Sequence, residues 1–351
     1  MIAGDGIGTD VTVEAVKVLD AAAERWDLPL ELVDFPWSAD HYLETGETLP
    51  DGALEDLTEN FSAVFVGAFG DPRVPDMKHA ADILLGMRFK LDLYINFRPI
   101  KLYDQRLCPL RDKTVDDIDF VVFRENTEGA YVGAGGNLKK GTPDEVAIQE
   151  EIYTFKGVDR IIRAAFDYAV SHGKSKVCMA DKSNVMRYGH DLWQRCFAAV
   201  AAEYPQVEAS HLFVDALTMQ MVRKPEMFEV IVTTNMFGDI VTDLGAALQG
   251  GLGISASANL HPGRLSLFEP VHGSAPKYTG TGKANPMGAV LSAALLLENL
   301  GHEAAAAALE DAVKRALRDG VTTPDLGGRH TTSEVGDFVA SSVASQPVGA
   351  A

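Results

Sequence analysis

Asp239 and Asp243 stand four residues apart in the segment from Thr233 to Asp243, directly after the apolar run Phe228-Glu229-Val230-Ile231-Val232. The run reads as a buried strand, and the segment after it reads as the start of a helix. Residues i and i+4 share a helix face, so both carboxylates address one spot. Two carboxylates placed together repel unless a cation or a proton joins them. Oxygen-only ligands suit Mg²⁺ or Mn²⁺. The plainer reading is an acidic, solvated first helical turn favoured by the helix dipole.

Three arginines add a second chemistry. Arg88, Arg98 and Arg124 lie in Met87-Arg88-Phe89, Asn96-Phe97-Arg98-Pro99 and Phe123-Arg124-Glu125-Asn126. A guanidinium forks a carboxylate with two parallel hydrogen bonds, so three that converge suit a di- or tricarboxylate. As isolated surface salt bridges they would contribute only about 0–1 kcal/mol each. Gly4-Asp5-Gly6-Ile7-Gly8 has the spacing G-x-G-x-G rather than G-x-G-x-x-G, and Asp34 is poorly placed as the acidic partner, so a Rossmann fingerprint is rejected. A glycine-rich turn into a helix remains, and it lets a cofactor approach the backbone. The loop Phe268-Glu269-Pro270-Val271-His272-Gly273-Ser274-Ala275-Pro276 is dense in turn-formers, and Asn285-Pro286 opens a helix.

The elements that must position these groups alternate. Helices are predicted from Val11 to Trp26, with Thr9 as cap, from Gly157 to Ser171, from Tyr188 to Ala202, and from Asn285 to Asp319 with a break near Gly301. Strands are predicted at Leu30–Asp34, Ala63–Gly67, Phe120–Phe123, Lys176–Met179 and His211–Val214. The class is therefore α/β with much parallel sheet. Arg124, Lys182, Asp215 and the Asn235, Asp239, Asp243 set each follow one of four predicted strands. Ligand crevices of open α/β sheets form beyond such carboxyl ends.

The chain has 351 residues, 46% apolar and 23% charged, enough for two domains. A net charge of −19 argues against a nucleic-acid partner. No apolar run approaches a membrane span, and the N-terminus lacks the pattern of a signal peptide. Cys108, Cys178 and Cys196 read as free thiols in a reducing, cytoplasmic setting. Only Ser342 to Ala351 reads as frayed.

Seven short motifs occur in order: Gly4–Gly8; Asp92-Leu93-Tyr94 with Asn96–Pro99; Arg124–Gly129 with Tyr131; Asp181-Lys182-Ser183-Asn184-Val185; Phe213-Val214-Asp215; Asn235–Asp239 with Asp243; and Glu269–Pro276 with Asn285-Pro286. Over essentially the whole chain this resembles the β-decarboxylating dehydrogenases that act on isopropylmalate, isocitrate, homoisocitrate, and tartrate or D-malate. The resemblance implies a fold of two α/β domains sharing a large mixed sheet, not a Rossmann fold. Residues 1–93 with 250–351 would form a large, cofactor-binding domain, and 94–249 a smaller domain that dimerises. It further implies a hydroxy-dicarboxylate substrate gripped by Arg88, Arg98 and Arg124, and Mg²⁺ or Mn²⁺ held by Asp239, Asp243 and a partner's Asp215. A partner's Lys182 would be the general base and Tyr131 the general acid, so the sites of a homodimer would be shared. Family members carry a full first strand where this chain has Met1-Ile2-Ala3, which implies a shortened start and a weaker central sheet.

Leu84 and Leu85 precede Arg88 where isopropylmalate enzymes of the family form an apolar pocket, and the implied role is leucine biosynthesis. They could equally face the core. Val146–Glu150 and Val74-Pro75-Asp76 resemble the D-malate/tartrate enzymes, the alternative, ahead of isocitrate and homoisocitrate. NAD would lie against Ile7 and the loop His272, Gly273, Ser274, Ala275, Pro276, with Asn285 at the adenine. Lys277-Tyr278 keeps NADP open, because a lysine welcomes a 2′-phosphate. A homologue that keeps the fold without catalysis would lose one of these polar residues, and all are present.

Overall fold

The computed structural model describes residues 1–347. In chain order the first elements are β1 (Ile2–Gly4), α1 (Ile7–Trp26), α2 (Ala39–Thr45), α3 (Ala53–Asn60), β2 (Ala63–Ala68), α4 (Lys78–Ala80), α5 (Gly86–Lys90), β3 (Ile95–Lys101) and β4 (Asp119–Glu125). Then come β5 (Gly135–Leu138), β6 (Val146–Gln149), α6 (Phe155–Ser171), β7 (Lys176–Asp181), α7 (Gly189–Ala201), β8 (Glu208–Phe213), α8 (Val214–Arg223), β9 (Val230–Thr233) and α9 (Asn235–Gln249). Last are β10 (Ala256–Leu260), β11 (Ser266–Pro270), α10 (Met287–Asn299), α11 (Glu303–Arg318) and α12 (Thr332–Ala344). The expected mixed α/β class is borne out.

The chain divides into two compact units. The first comprises Met1–Leu93, Lys101–Val115 and the chain from Ala246 onward. Its strands run in the order β1-β2-β11-β10, with β1 and β11 parallel to β2 and β10 antiparallel to β11. Ile2, Val64, Val66 and Leu267 of these strands pack with Trp37, Leu57, Phe69, Ile83, Met87 and Leu93 in one buried cluster. Helix α10 is buried on every side from Met287 to Leu297 apart from Leu295, as a nearly all-apolar helix must be, and its one polar side chain there, Ser292, donates back to Gly288 O at 2.8 Å.

The second unit comprises Tyr94–Ile100 and Asp116–Gly245. Its strands β4-β9-β7-β8 are adjacent and parallel, in registers such as Val122↔Ile231, Cys178↔Ile231 and Met179↔His211. All four carboxyl ends therefore open on one edge. A separate antiparallel pair, β5–β6, leaves every residue exposed.

Several expectations are corrected. Leu30–Asp34 is not a strand: it lies beside Met1 through only two backbone contacts, Met1 N to Val33 O at 2.7 Å and Phe35 N to Met1 O at 2.9 Å, too few for a ladder. Thr9 is not a cap, because α1 already starts at Ile7 and the Thr9 hydroxyl donates to Gly6 O at 2.8 Å. Arg124 lies within β4, and Val214 belongs to α8. Residues 101–115 and 246–249 group with the first unit rather than with 94–249. Lys101 is tied into that unit: its Nζ meets Glu310 at 2.6 Å and its backbone N–H donates to Gln249 Oε1 at 2.8 Å. Helix α12 carries order to Ala344, so the expected fraying at Ser342 is not seen; 348–351 lie outside the described residues. The cysteines are free, with Cys178 and Cys196 buried. No helix among the described residues is long and apolar enough to cross a membrane.

Candidate active site

In the second unit the parallel strands deliver the polar groups to one edge. Arg124 comes from the end of β4, Lys182 follows β7, Asp215 lies in the first turn of α8 after β8, and α9 begins at Asn235 after β9. Arg124 is 1% exposed. Its Nε and Nη2 donate to Asn235 Oδ1 at 3.0 and 2.7 Å, and its Nη1 donates to Asp239 Oδ1 at 2.5 Å. The guanidinium also lies 5.3 Å from the centre of the Tyr131 ring. Arg98, on β3, donates from Nη1 to Thr242 Oγ1 at 2.5 Å and places Nη2 3.9 Å from Asp239 Oδ1. Two of the three arginines thus converge on Asp239. A Cβ on Gly238 would come within 2.4 Å of Arg124 Cγ, so the close crossing requires a glycine there.

Asp239 is half-exposed and Asp243, one turn further along α9, is exposed. Their oxygens are the donors a hard divalent cation takes, and the positions left by two carboxylates suit other oxygen ligands. Among the described residues no three His, Cys, Asp or Glu side chains are grouped to hold a metal ion. Asp215 lies elsewhere: it accepts from Lys182 Nζ at 2.7 Å. That bond holds the Asp215 carboxyl below its usual range. One chain therefore presents two separate groups, the arginines with Asp239 and Asp243, and Lys182 with Asp215.

In the first unit Arg88 sits on α5 and donates from Nη2 to Glu269 Oε1 at 2.9 Å; Asn259 Nδ2 donates to the same oxygen at 2.8 Å. A π-helical turn, Ala81–Leu85, precedes it. Such turns are rare and concentrate at functional sites. Leu84 packs partly against the core cluster, while Leu85 is half-buried. The glycine turn meets the 272–276 loop directly: Ile7 N donates to Ser274 O at 2.7 Å. Gly6 has φ of +58°, and a Cβ there would stand 2.1 Å from Ser274 O. His272 Nδ1 faces Gly273 O at 3.0 Å, and burial pushes its pKa down. Gly273, Pro276 and Lys277 are exposed and Ala275 is half-buried, with Lys277 Nζ 4.7 Å from the centre of the Tyr278 ring. Asn285 accepts from Met287 N at 3.0 Å and donates to Asp325 Oδ2 at 3.0 Å.

None of Asn235, Thr242, Glu269 and Asp325 has its partner marked in the sequence, although Asn235 and Glu269 stand in its motifs. They meet their partners across 111, 144, 181 and 40 residues, and nothing local signals such pairs.

A model of the isocitrate/isopropylmalate dehydrogenase family matches residues 1–339. The chain is 48% identical over 349 residues to a 3-isopropylmalate dehydrogenase of Streptomyces griseus, covering 98% of each. It is 43% identical over 353 residues to a tartrate dehydrogenase/decarboxylase of Pseudomonas putida, covering 98% of this chain and 96% of that one. Among solved structures, an isocitrate dehydrogenase from Methylococcus capsulatus matches with a TM-score of 0.86 and 35% identity over 98% of each chain. With these matches spanning the same residues that carry the arginines, the carboxylates and the lysine, the chain belongs to the isocitrate/isopropylmalate dehydrogenase family.

Proposed function

We propose that the protein oxidatively decarboxylates 3-isopropylmalate to 2-oxoisocaproate, the leucine-biosynthetic reaction, with NAD and Mg²⁺ or Mn²⁺. The observation that carries the reaction type is the convergence of Arg98 and Arg124 on Asp239 at the carboxyl edge of four parallel strands. Leu85, half-buried on the π turn ahead of Arg88, supports the isopropyl group, because apolar surroundings disfavour a charged substituent; Leu84 on the same turn packs against the core cluster.

In this reading Arg88, Arg98 and Arg124 hold the two carboxylates. Asp239 and Asp243, with Asp215 of the partner subunit, would hold the cation, which would supply Lewis-acid chemistry when bound. Ile7, His272–Lys277 and Asn285 would hold NAD, which would supply the hydride acceptor. Lys182 of the partner subunit takes the hydroxyl proton as hydride leaves C2. Loss of CO₂ leaves its electron pair on the carbon skeleton, and Tyr131 returns a proton to C3. Arg124 beside the Tyr131 ring fixes the phenol's place.

The homodimer is supported by apolar groups that one chain leaves exposed: Leu138, Val146 and Ile148 on β5 and β6, Met219 and Val222 on α8, and Ile240 on α9. The unit formed by both chain ends would carry the cofactor and the other unit would dimerise. Asp325 beside Asn285 supports NAD, since a carboxylate there repels a 2′-phosphate. Exposed Lys277 favours NADP, so both are compared in the test.

The test is formation of reduced nicotinamide from 3-isopropylmalate, D-malate, tartrate and isocitrate, each with NAD and NADP, before and after chelation. The highest kcat/KM is expected with 3-isopropylmalate and NAD, lost on chelation and restored by Mn²⁺. Turnover confined to D-malate or tartrate would overturn the substrate. Turnover surviving full chelation would overturn the mechanism. No turnover with any pair would indicate a binding homologue.

A further inference from the structure

We propose that His190 is a positioning residue that sets the direction in which Lys182 leaves the sheet. The inference deepens the proposed function and rests on its assignment of Lys182 as the base.

Lys182 is the first residue beyond β7. Its backbone N–H donates to His190 Nδ1 at 2.8 Å, not to a neighbouring strand. A backbone N–H can only donate, so Nδ1 is bare and the ring proton sits on Nε2. Nε2 faces Tyr153 Oη at 3.5 Å and Glu151 Oε2 at 3.9 Å, while Tyr153 Oη donates to Glu151 Oε2 at 2.7 Å. The imidazole is fully buried, and burial holds its pKa below the usual range, which keeps Nδ1 an acceptor.

Two rings pack against the imidazole. Tyr153 lies edge-on with centroids 5.6 Å apart, and Phe237 lies 5.6 Å away at 70°. Phe237 stands two residues before Asp239 on α9, so the ring rests between the lysine turn and the helix that carries the paired carboxylates. A Cβ on Gly189 would come 2.6 Å from the Tyr153 ring, so a glycine is required for that approach.

The flanks of Lys182 are tied as well. Asp181 accepts from Ser183 N at 3.0 Å and from Gln194 Nε2 at 2.7 Å, and His211 Nε2 lies 2.9 Å from it. A lysine side chain has several rotatable bonds, and ordering it costs conformational entropy. Where its ammonium points therefore depends on a fixed Cα–Cβ vector. His190 holds the lysine's own amide, and through it that vector.

The experiment separates this role from that of a buried core histidine. His190→Asn places an oxygen near the position of Nδ1 and keeps the acceptor. His190→Leu removes it. Both lose the ring contacts to Tyr153 and Phe237, so their thermal stabilities should fall together. H190L is expected to lower kcat by roughly 10- to 100-fold while KM for the hydroxy acid stays within about threefold, since misplacement of a reacting group acts on the chemical step. The deuterium isotope effect on kcat with 2-deuterated substrate should rise. H190N should recover kcat to within about threefold of the parent. Should H190L fail to fold, His190→Gln, whose amide reaches toward the Nε2 side, takes its place with the same expected loss. Equal kcat in the Asn and the acceptor-lacking variants, whether both high or both low, overturns the proposal. Lys182→Met is measured in parallel: full activity there would remove the assignment of the base, a failure distinguishable from that of His190.

Discussion

Asp5→Ala should loosen the glycine turn and weaken cofactor binding together. The Asp5 side chain is 3% exposed and accepts three hydrogen bonds: Ala39 N to Oδ1 at 2.6 Å, Gly70 N to Oδ2 at 2.8 Å, and His79 Nε2 to Oδ2 at 2.8 Å. Hydrogen bonds to a charged group contribute about 1.5–3 kcal/mol each, and a buried donor left without a partner costs about 1–3 kcal/mol. Removing the carboxylate also removes its own desolvation cost, which offsets part of the loss. The net effect should be roughly 2–5 kcal/mol, a large share of the 5–15 kcal/mol typical of a folded domain. Asp5→Asn keeps an acceptor oxygen and should fall between. His79→Leu removes one of the three bonds and should cost about 1.5–3 kcal/mol. The assay is the urea midpoint at pH 7 for all three variants, with KM for NAD measured on each. Because Ile7 N binds Ser274 O from this same turn, KM for NAD should rise more than KM for the hydroxy acid. An unchanged midpoint for Asp5→Ala would refute the reasoning.

Gly6→Ala should raise KM for NAD by about tenfold or more, because the new Cβ, 2.1 Å from Ser274 O, must push that loop away; an unchanged KM would show that the loop does not meet the cofactor. Glu310 provides a pH test. Burial pulls its carboxyl upward, but hydrogen bonds from Lys101 and Lys314 outweigh this and hold the pKa below the usual range. A depressed carboxyl contributes stability above its unfolded pKa of about 4.3, and that stability is lost as pH falls through the folded value. Glu310→Gln should therefore lower stability by about 1 kcal/mol at pH 7, and the gap should close below about pH 4. A gap in Tm that widens on acidification would contradict the sign.

The parts of the site legible in the sequence were those carried by short apolar runs. Val230–Val232 and Lys176–Met179 announce buried strands, and their polar successors must then fall at one edge if the strands are parallel, as β4, β9, β7 and β8 are. The segment Leu30–Asp34 has the composition of a strand without a ladder, and composition cannot say whether a neighbour lies alongside. The start of α1 is set by the backbone of the glycine turn rather than by a hydroxyl cap, which displaced the expectation for Thr9. Ala81–Leu85 has an ordinary helical sequence, and nothing in it marks the wider π turn. Arg98–Thr242 and Arg88–Glu269 are separated by 144 and 181 residues, so spacing carries no trace of them. The contact of His190 with the Lys182 amide spans only eight residues, yet it depends on where the turn after β7 places that amide.

The central claim is that each site draws Arg98, Arg124, Asp239 and Asp243 from one chain and Lys182 with Asp215 from its neighbour. Mixing two inactive variants, Lys182→Met and Asp239→Asn, after reversible dissociation tests it most directly. A mixed dimer has one site with every residue intact, contributed by the two different parents. Half of randomly paired dimers are mixed and each carries one working site of two, so activity should return to about a quarter of the parent enzyme's. Verified mixed dimers that remain as inactive as either variant alone would contradict the shared site.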